Sequence, residues 1–91
     1  MNRMYNFVIM ENRIKEIAKK KGKTQAQIAD VASVAVITVA KYYSQDRQPS
    51  SVTLESIAEV LQCDPLELLK PGINYAHFYD ENGIWQGIRR K

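Results

Sequence analysis

The stretch TQAQIADVASVAVITVAKYYSQDRQPS, Thr24 to Ser50, carries the signals of two short helical segments meeting at a corner. Thr24 with Gln27 three residues on is a capping box, in which each side chain can satisfy a backbone N–H that a helix start leaves without a partner. Ile28, Ala29 and Ala32 then fall on one face at helical spacing. The pattern breaks around Ser33, and a second apolar segment runs from Val34 to Tyr43. Val34 to Val39 is rich in β-branched residues and, taken alone, passes for a buried strand. Set on a helix, the same segment divides in two. Val36, Ile37, Ala40 and Lys41 share one face, and Ala35, Val39 and Tyr42 share the opposite one.

Two short helices with a tight corner between them are the helix-turn-helix unit. The stretch resembles that unit in the phage lambda repressor and Cro-like regulators, the XRE family of bacteria. Thr24-Gln25 stands where that family opens its second helix, Ile28-Ala29 where it packs Leu-Ala, and Val34 where an apolar residue follows the turn. Val39 and Tyr42 stand at the buried positions of its third helix, and Gln48-Pro49-Ser50 in the loop before its fourth. The resemblance runs from about Asn12 to Leu69. It favours helix over strand for Val34 to Tyr43, because tertiary packing overrides weak local preference.

What the resemblance implies is a mainly α, five-helix, lambda repressor-like DNA-binding domain whose partner is double-stranded DNA. Its second helix lies across the DNA backbone and its third, about residues 35–43, enters the major groove. Lys23, Thr24 and Gln25 then belong at a phosphate, where a helix start gathers N–H donors. Val36, Ile37 and Lys41 stand where relatives reach base edges, and the loop residues Gln45 and Arg47 suit either further phosphate contacts or solvent. The chain departs from the family at Val36 and Ile37, since relatives often use Gln, Arg, Ser or Asn to reach bases. Two aliphatic side chains cannot make bidentate hydrogen bonds but can pack on thymine methyls. Selectivity would then lean on those methyls, on Thr38, Lys41 and Tyr43, and on DNA shape. Packing of Val36 and Ile37 within the molecule and binding of a protein partner are the two other uses such a face allows.

Ninety-one residues suffice for a single modest core. The net charge is +3, but it is unevenly spread: residues 1–23 hold seven basic and two acidic side chains, residues 49–70 one basic and four acidic. A basic N-terminal quarter permits a polyanionic partner without demanding one. The lone cysteine, Cys63, excludes an internal disulfide and fits a reducing compartment. The longest nearly apolar run, Val31 to Ala40, is too short to span a bilayer. With no recognisable signal peptide, the expected location is the cytoplasm. One His, one Cys and no Gly-rich phosphate loop leave no nucleophile–base pair or metal-ligand spacing, so neither an enzyme nor a cofactor is expected.

Working outward, residues 1–10 form an arm in which Met4 to Met10 reads as a short strand. Residues 11–70 form the helical domain. Met10, Ile14, Ile17 and Ala18 make the apolar stripe of a first helix that ends in three lysines and Gly22. These lysines suit either a solvated helix end or phosphate contact. Leu54, Ile57, Ala58 and Leu61 mark a fourth helix capped by Ser50 or Ser51. Asp64-Pro65-Leu66-Glu67 reads as cap, first-turn proline and capping-box glutamate of a fifth helix ending near Leu69. In residues 71–91, two aromatic-rich segments, Tyr75 to Tyr79 and Ile84 to Ile88, flank Asp80-Glu-Asn-Gly83, a β-hairpin signal. An isolated hairpin is marginal in water, so it needs a third strand or a partner. Met4 to Ile9 is the candidate third strand, from the same chain or a second subunit. A sheet carrying Tyr75, Phe78, Tyr79 and Trp85 could cover one side of the helices or, as favoured here, form a homodimer interface, with Tyr5, Phe7, Ile9, Phe78, Tyr79 and Trp85 as its candidates. The sequence reads as a dimeric transcriptional regulator, with an antitoxin-like or accessory protein-interaction module as the alternative.

Overall fold

The computed structural model describes residues 11–91. The expected N-terminal strand, Met10 of the first stripe and the interface candidates Tyr5, Phe7 and Ile9 lie outside the described residues. Within them the chain forms four α-helices and a hairpin: α1 (Ile14–Lys21), α2 (Gln25–Ala32), α3 (Val36–Ser44), α4 (Ser51–Leu61), β1 (Tyr75–Tyr79) and β2 (Trp85–Arg90). α1 stops where Gly22 turns left-handed at φ 70°, after three lysines in its last turn. α2 starts from the capping box: the Gln27 N–H donates to Thr24 Oγ1 at 3.1 Å and the Thr24 N–H to Gln27 Oε1 at 2.8 Å. The corner falls at Ser33, which takes the left-handed conformation at φ 58° without being glycine. α4 begins at Ser50, whose Oγ accepts from the Thr53 N–H at 3.2 Å.

The β-branched segment is helical because its apolar residues complete a core that only a helix can fill. Val39 and Tyr42 join Ile14, Ile17 and Ala18 of α1, Ile28 and Ala29 of α2, Ile57, Ala58 and Leu61 of α4, and Leu68 in one buried cluster. Val39, fully buried there, alone contributes about 2 kcal/mol of transfer free energy, far more than the few tenths by which β-branching disfavours a helix.

The fifth helix is shorter than expected. Pro65–Leu68 is a single 3-10 turn, capped by Asp64 Oδ1, which accepts from the Leu66 N–H at 2.9 Å. Glu67 does not turn back to complete a capping box. It points inward, buried, and accepts the Tyr79 hydroxyl at 2.8 Å. The turn is not propagated because Leu69 pairs with Asn12 in an isolated antiparallel bridge, flanked by the Lys70 N–H to Glu11 O bond at 2.9 Å.

The hairpin forms where Asn82-Gly83 placed it. Gly83 sits at φ 81°, and Asp80 Oδ1 accepts from the N–H groups of Asn82 and Ile84 at 2.8 and 2.9 Å. Its inner face is held to the helices by two linked sets of hydrogen bonds. The Arg13 guanidinium donates to the Tyr79 hydroxyl at 3.2 Å and to Glu67 O at 3.0 Å. His77 Nε2 meets Leu69 O at 2.7 Å, and the Trp85 indole N–H donates to His77 Nδ1 at 2.9 Å, so the ring carries its proton on Nε2. Tyr79 and Trp85, expected at a dimer interface, are thus engaged in a joint within the chain, because strand alternation turns them toward the helices. Phe78 alternates to the outer face and is exposed.

Cys63 is half-buried beside this joint. Burial, aided by the nearby Glu67 carboxylate, pushes its thiol from the ordinary 9.0 to about 11. Because the folded thiol holds its proton more tightly than the unfolded one, the stability tied to it is whole below pH 9 and is lost as pH rises through about 11. At pH 8 alkylation of the native chain is expected to run about 100-fold slower than in denaturant, since the thiolate is the nucleophile. Equal rates measured by mass spectrometry would contradict this.

Candidate nucleic-acid interface

The lysine run at the end of α1 divides by the helical step of about 100° per residue. Lys15 and Lys19, four apart, share a flank turned toward α3, whereas the Lys20 ammonium lies 4.7 Å from the Tyr79 ring on the hairpin side. Lys15, Lys19, Lys23, Gln25, Ala40, Tyr43 and Ser44 line one open groove of about 400 Å³. It gathers three ammonium groups, an amide, a phenol and a hydroxyl, and at its edge are the first N–H groups of α2, which lack partners within the helix. Burial raises the Tyr43 pKa, so the phenol keeps its proton. The donor set suits a phosphate oxygen. Of the expected phosphate residues, Lys23 and Gln25 line the groove, while the Thr24 side chain is occupied in the capping box.

Along α3, Val36 and Ile37 are 49% and 64% exposed, and Lys41 is exposed one turn further on. Neither aliphatic residue packs into the molecule. Thr38 is half-buried beside them. Ala35, the N-cap of α3, supplies no side-chain hydrogen bond, so the Val36 and Ile37 N–H groups have no side-chain cap, while the Thr38 N–H donates to Ala35 O at 2.9 Å. Ala35 itself is exposed, a departure from the expected core face, because the helix begins one residue after it.

The loop residues separate. Arg47 is exposed, but Gln45 is turned inward. Its side-chain amide lies along the backbone of Asn12, accepting from the Asn12 N–H at 3.0 Å and donating to Asn12 O at 3.0 Å, as a neighbouring strand would. Asn12, only 3% exposed, donates through Nδ2 to Tyr42 O at 3.0 Å and Gln48 Oε1 at 2.9 Å. Its Oδ1 accepts from the Ile14 N–H at 2.9 Å. One side chain therefore starts α1, closes the end of α3 and holds the loop that carries Arg47.

The order of helices and the corner at Ser33 are those of a helix-turn-helix. The helix-turn-helix family HTH_3 matches residues 14–68, from the first residue of α1 through the 3-10 turn. The chain belongs to this helix-turn-helix family. Among solved structures it is similar to the crystal structure of a "putative DNA-binding protein" from Bacteroides fragilis, with 33% identity and a TM-score of 0.65 over 67% of this chain and 98% of that one. No curated protein matches. The helix-turn-helix proper is α2 and α3, and the family match ends before the hairpin.

Among the described residues no group of three or more His, Cys, Asp and Glu could hold a metal, and no helix is long and apolar enough to cross a membrane. Sequence reasoning missed Asn12 and Lys15. A lone asparagine before a helix reads as an ordinary cap, and a lysine on a helix surface as solvated. The available signal for Lys15 was its i, i+4 spacing to Lys19, which puts both on the flank that Lys23 and Gln25 complete.

Proposed function

We propose that this chain is a sequence-selective transcriptional regulator that lays α3 in the major groove of double-stranded DNA and binds as a two-fold pair. The observation that carries the reading is the adjacency of an exposed α3 face to a groove lined by three lysines and the start of α2. In this arrangement Lys23, Gln25 and Tyr43, with the backbone at Thr24, grip one phosphate, joined by Lys15 and Lys19. Val36 and Ile37 pack on thymine methyls, while Thr38 and Lys41 supply the polar contacts at base edges. Arg47 reaches a second phosphate from a loop that Gln45 anchors to Asn12. Half-sites of such a pair lie about one helical turn apart.

Selection from a randomised duplex library, with the winner titrated at several salt concentrations, tests the reading. The expected winner is a T-rich half-site repeated with two-fold symmetry, with affinity falling steeply as salt rises. Lys41→Ala is expected to weaken binding to it about 10-fold, the loss expected for one good base or phosphate contact. The exposure of Val36 and Ile37, which have no hydrogen-bonding capacity, favours one other reading, a protein partner docked on α3. Enrichment of no sequence, with only weak binding to any duplex, would reject DNA reading in favour of that partner.

A further inference from the structure

We propose that the outer face of the hairpin is a self-association surface that takes a second copy of this chain in antiparallel alignment. The inference rests on the two-fold reading above and gives it a surface. Strand alternation commits His77, Tyr79 and Trp85 to the inner face, where they hydrogen-bond to the helices or to one another. On the other face Phe78 stands opposite Gly87, with the Arg89 guanidinium stacked 5.1 Å from the ring centroid. A Cβ built on Gly87 would meet nothing within 4 Å, so an open notch lies beside the aromatic ring.

The two ends of the hairpin differ in charge. The tip carries Asp80 and Glu81, and the open end carries Arg89, Arg90 and Lys91. A second copy stacked face to face in parallel would set acid on acid and base on base. Stacked antiparallel about a two-fold axis, it sets each acidic tip over a basic open end. The two Phe78 rings then meet near the axis, where the notches at Gly87 leave room for them. Every such contact is made twice, as an isologous pair requires. A hairpin face is smaller than a standard interface, so the association is weak, with a Kd of roughly 10–100 μM. Paired half-sites on one duplex would supply the missing effective concentration.

The test is sedimentation equilibrium of the full chain without DNA, with Trp85 emission checking that the hairpin stays docked. The wild type is expected to dimerise in that range, and Phe78→Glu to weaken dimerisation more than 10-fold. Glu81→Lys and Arg89→Glu are each expected to weaken it about two- to fivefold, as exposed ion pairs do. The double variant, in which the reversed charges again face opposite partners across the axis, is expected to recover most of the loss. A chain monomeric up to about 500 μM, well above the expected Kd, would overturn both this surface and the two-fold reading in solution. A dimer indifferent to Phe78→Glu, or a double variant weaker than either single one, would overturn the surface alone and leave the two-fold reading standing. DNA binding is measured separately and decides neither outcome.

Discussion

Replacing Lys15, Lys19 and Lys23 together with alanine is expected to lower affinity for the selected duplex about 100-fold at physiological salt. The three ammonium groups line one groove with Gln25 and Tyr43, and each phosphate neutralised by a lysine releases condensed counterions from the duplex. The slope of log K against log salt changes by about 0.9 per contact, so the triple variant should flatten it by between about two and three. Because all three side chains sit at the surface or half-buried and take no part in the core, the melting temperature should stay within about 3 °C of the wild type. The discriminating feature is uniformity. Phosphate contacts carry no sequence information, so the loss should be nearly equal on the selected site and on a scrambled duplex. A loss confined to the selected site would move these lysines to the base edges. An unchanged slope would remove the groove from the interface.

Asn12→Ala is expected to cost about 3 kcal/mol of stability, a fall of roughly 12–24 °C in Tm for a domain of this size. The substitution leaves Tyr42 O, Gln48 Oε1 and the Ile14 N–H without the partners they have at 2.9–3.0 Å. These groups lie in a buried or part-buried setting where water replaces the lost bonds poorly. Asn12→Asp keeps the acceptor for the Ile14 N–H and removes both donors, so it should fall between the wild type and alanine. Gln45→Ala removes the amide that pairs with the Asn12 backbone. Combined with Asn12→Ala it should be less than additive, since the two side chains share one network. A drop of under about 4 °C for Asn12→Ala, roughly the shift of 1 kcal/mol, would mean the loop is held by packing alone.

Legibility differed between elements for physical reasons. The capping box at Thr24, the glycine exit at Gly22 and the Asn82-Gly83 turn depend on neighbours within four residues, and all three formed as read. The glutamate at position 67 was read by the same local rule and escaped it. A capping-box glutamate competes with any deeper partner, and the Tyr79 hydroxyl, twelve residues away, offered one at 2.8 Å. Gln45 shows the same limit. A polar residue in a polar loop reads as free for DNA, and nothing local announces that Asn12, thirty-three residues upstream, will occupy its amide.

The residues by themselves determined the helical periods, the caps, the corner between α2 and α3, and that Val39 and Tyr42 lie opposite Val36, Ile37 and Lys41 on α3, because these follow from spacing and short-range hydrogen bonding. They also determined that the helix-turn-helix family was the one to expect. The tertiary structure supplied the reason that α3 is a helix against its own β-branched preference, since burial of Val39 and Tyr42 outweighs a few tenths of a kcal/mol per residue. It alone decided which lysines share a groove, which of the hairpin aromatics face the helices, and that Asn12 ties the start of α1 to the end of α3. Those outcomes depend on distances between residues far apart in the chain, and such distances exist only once the core has closed.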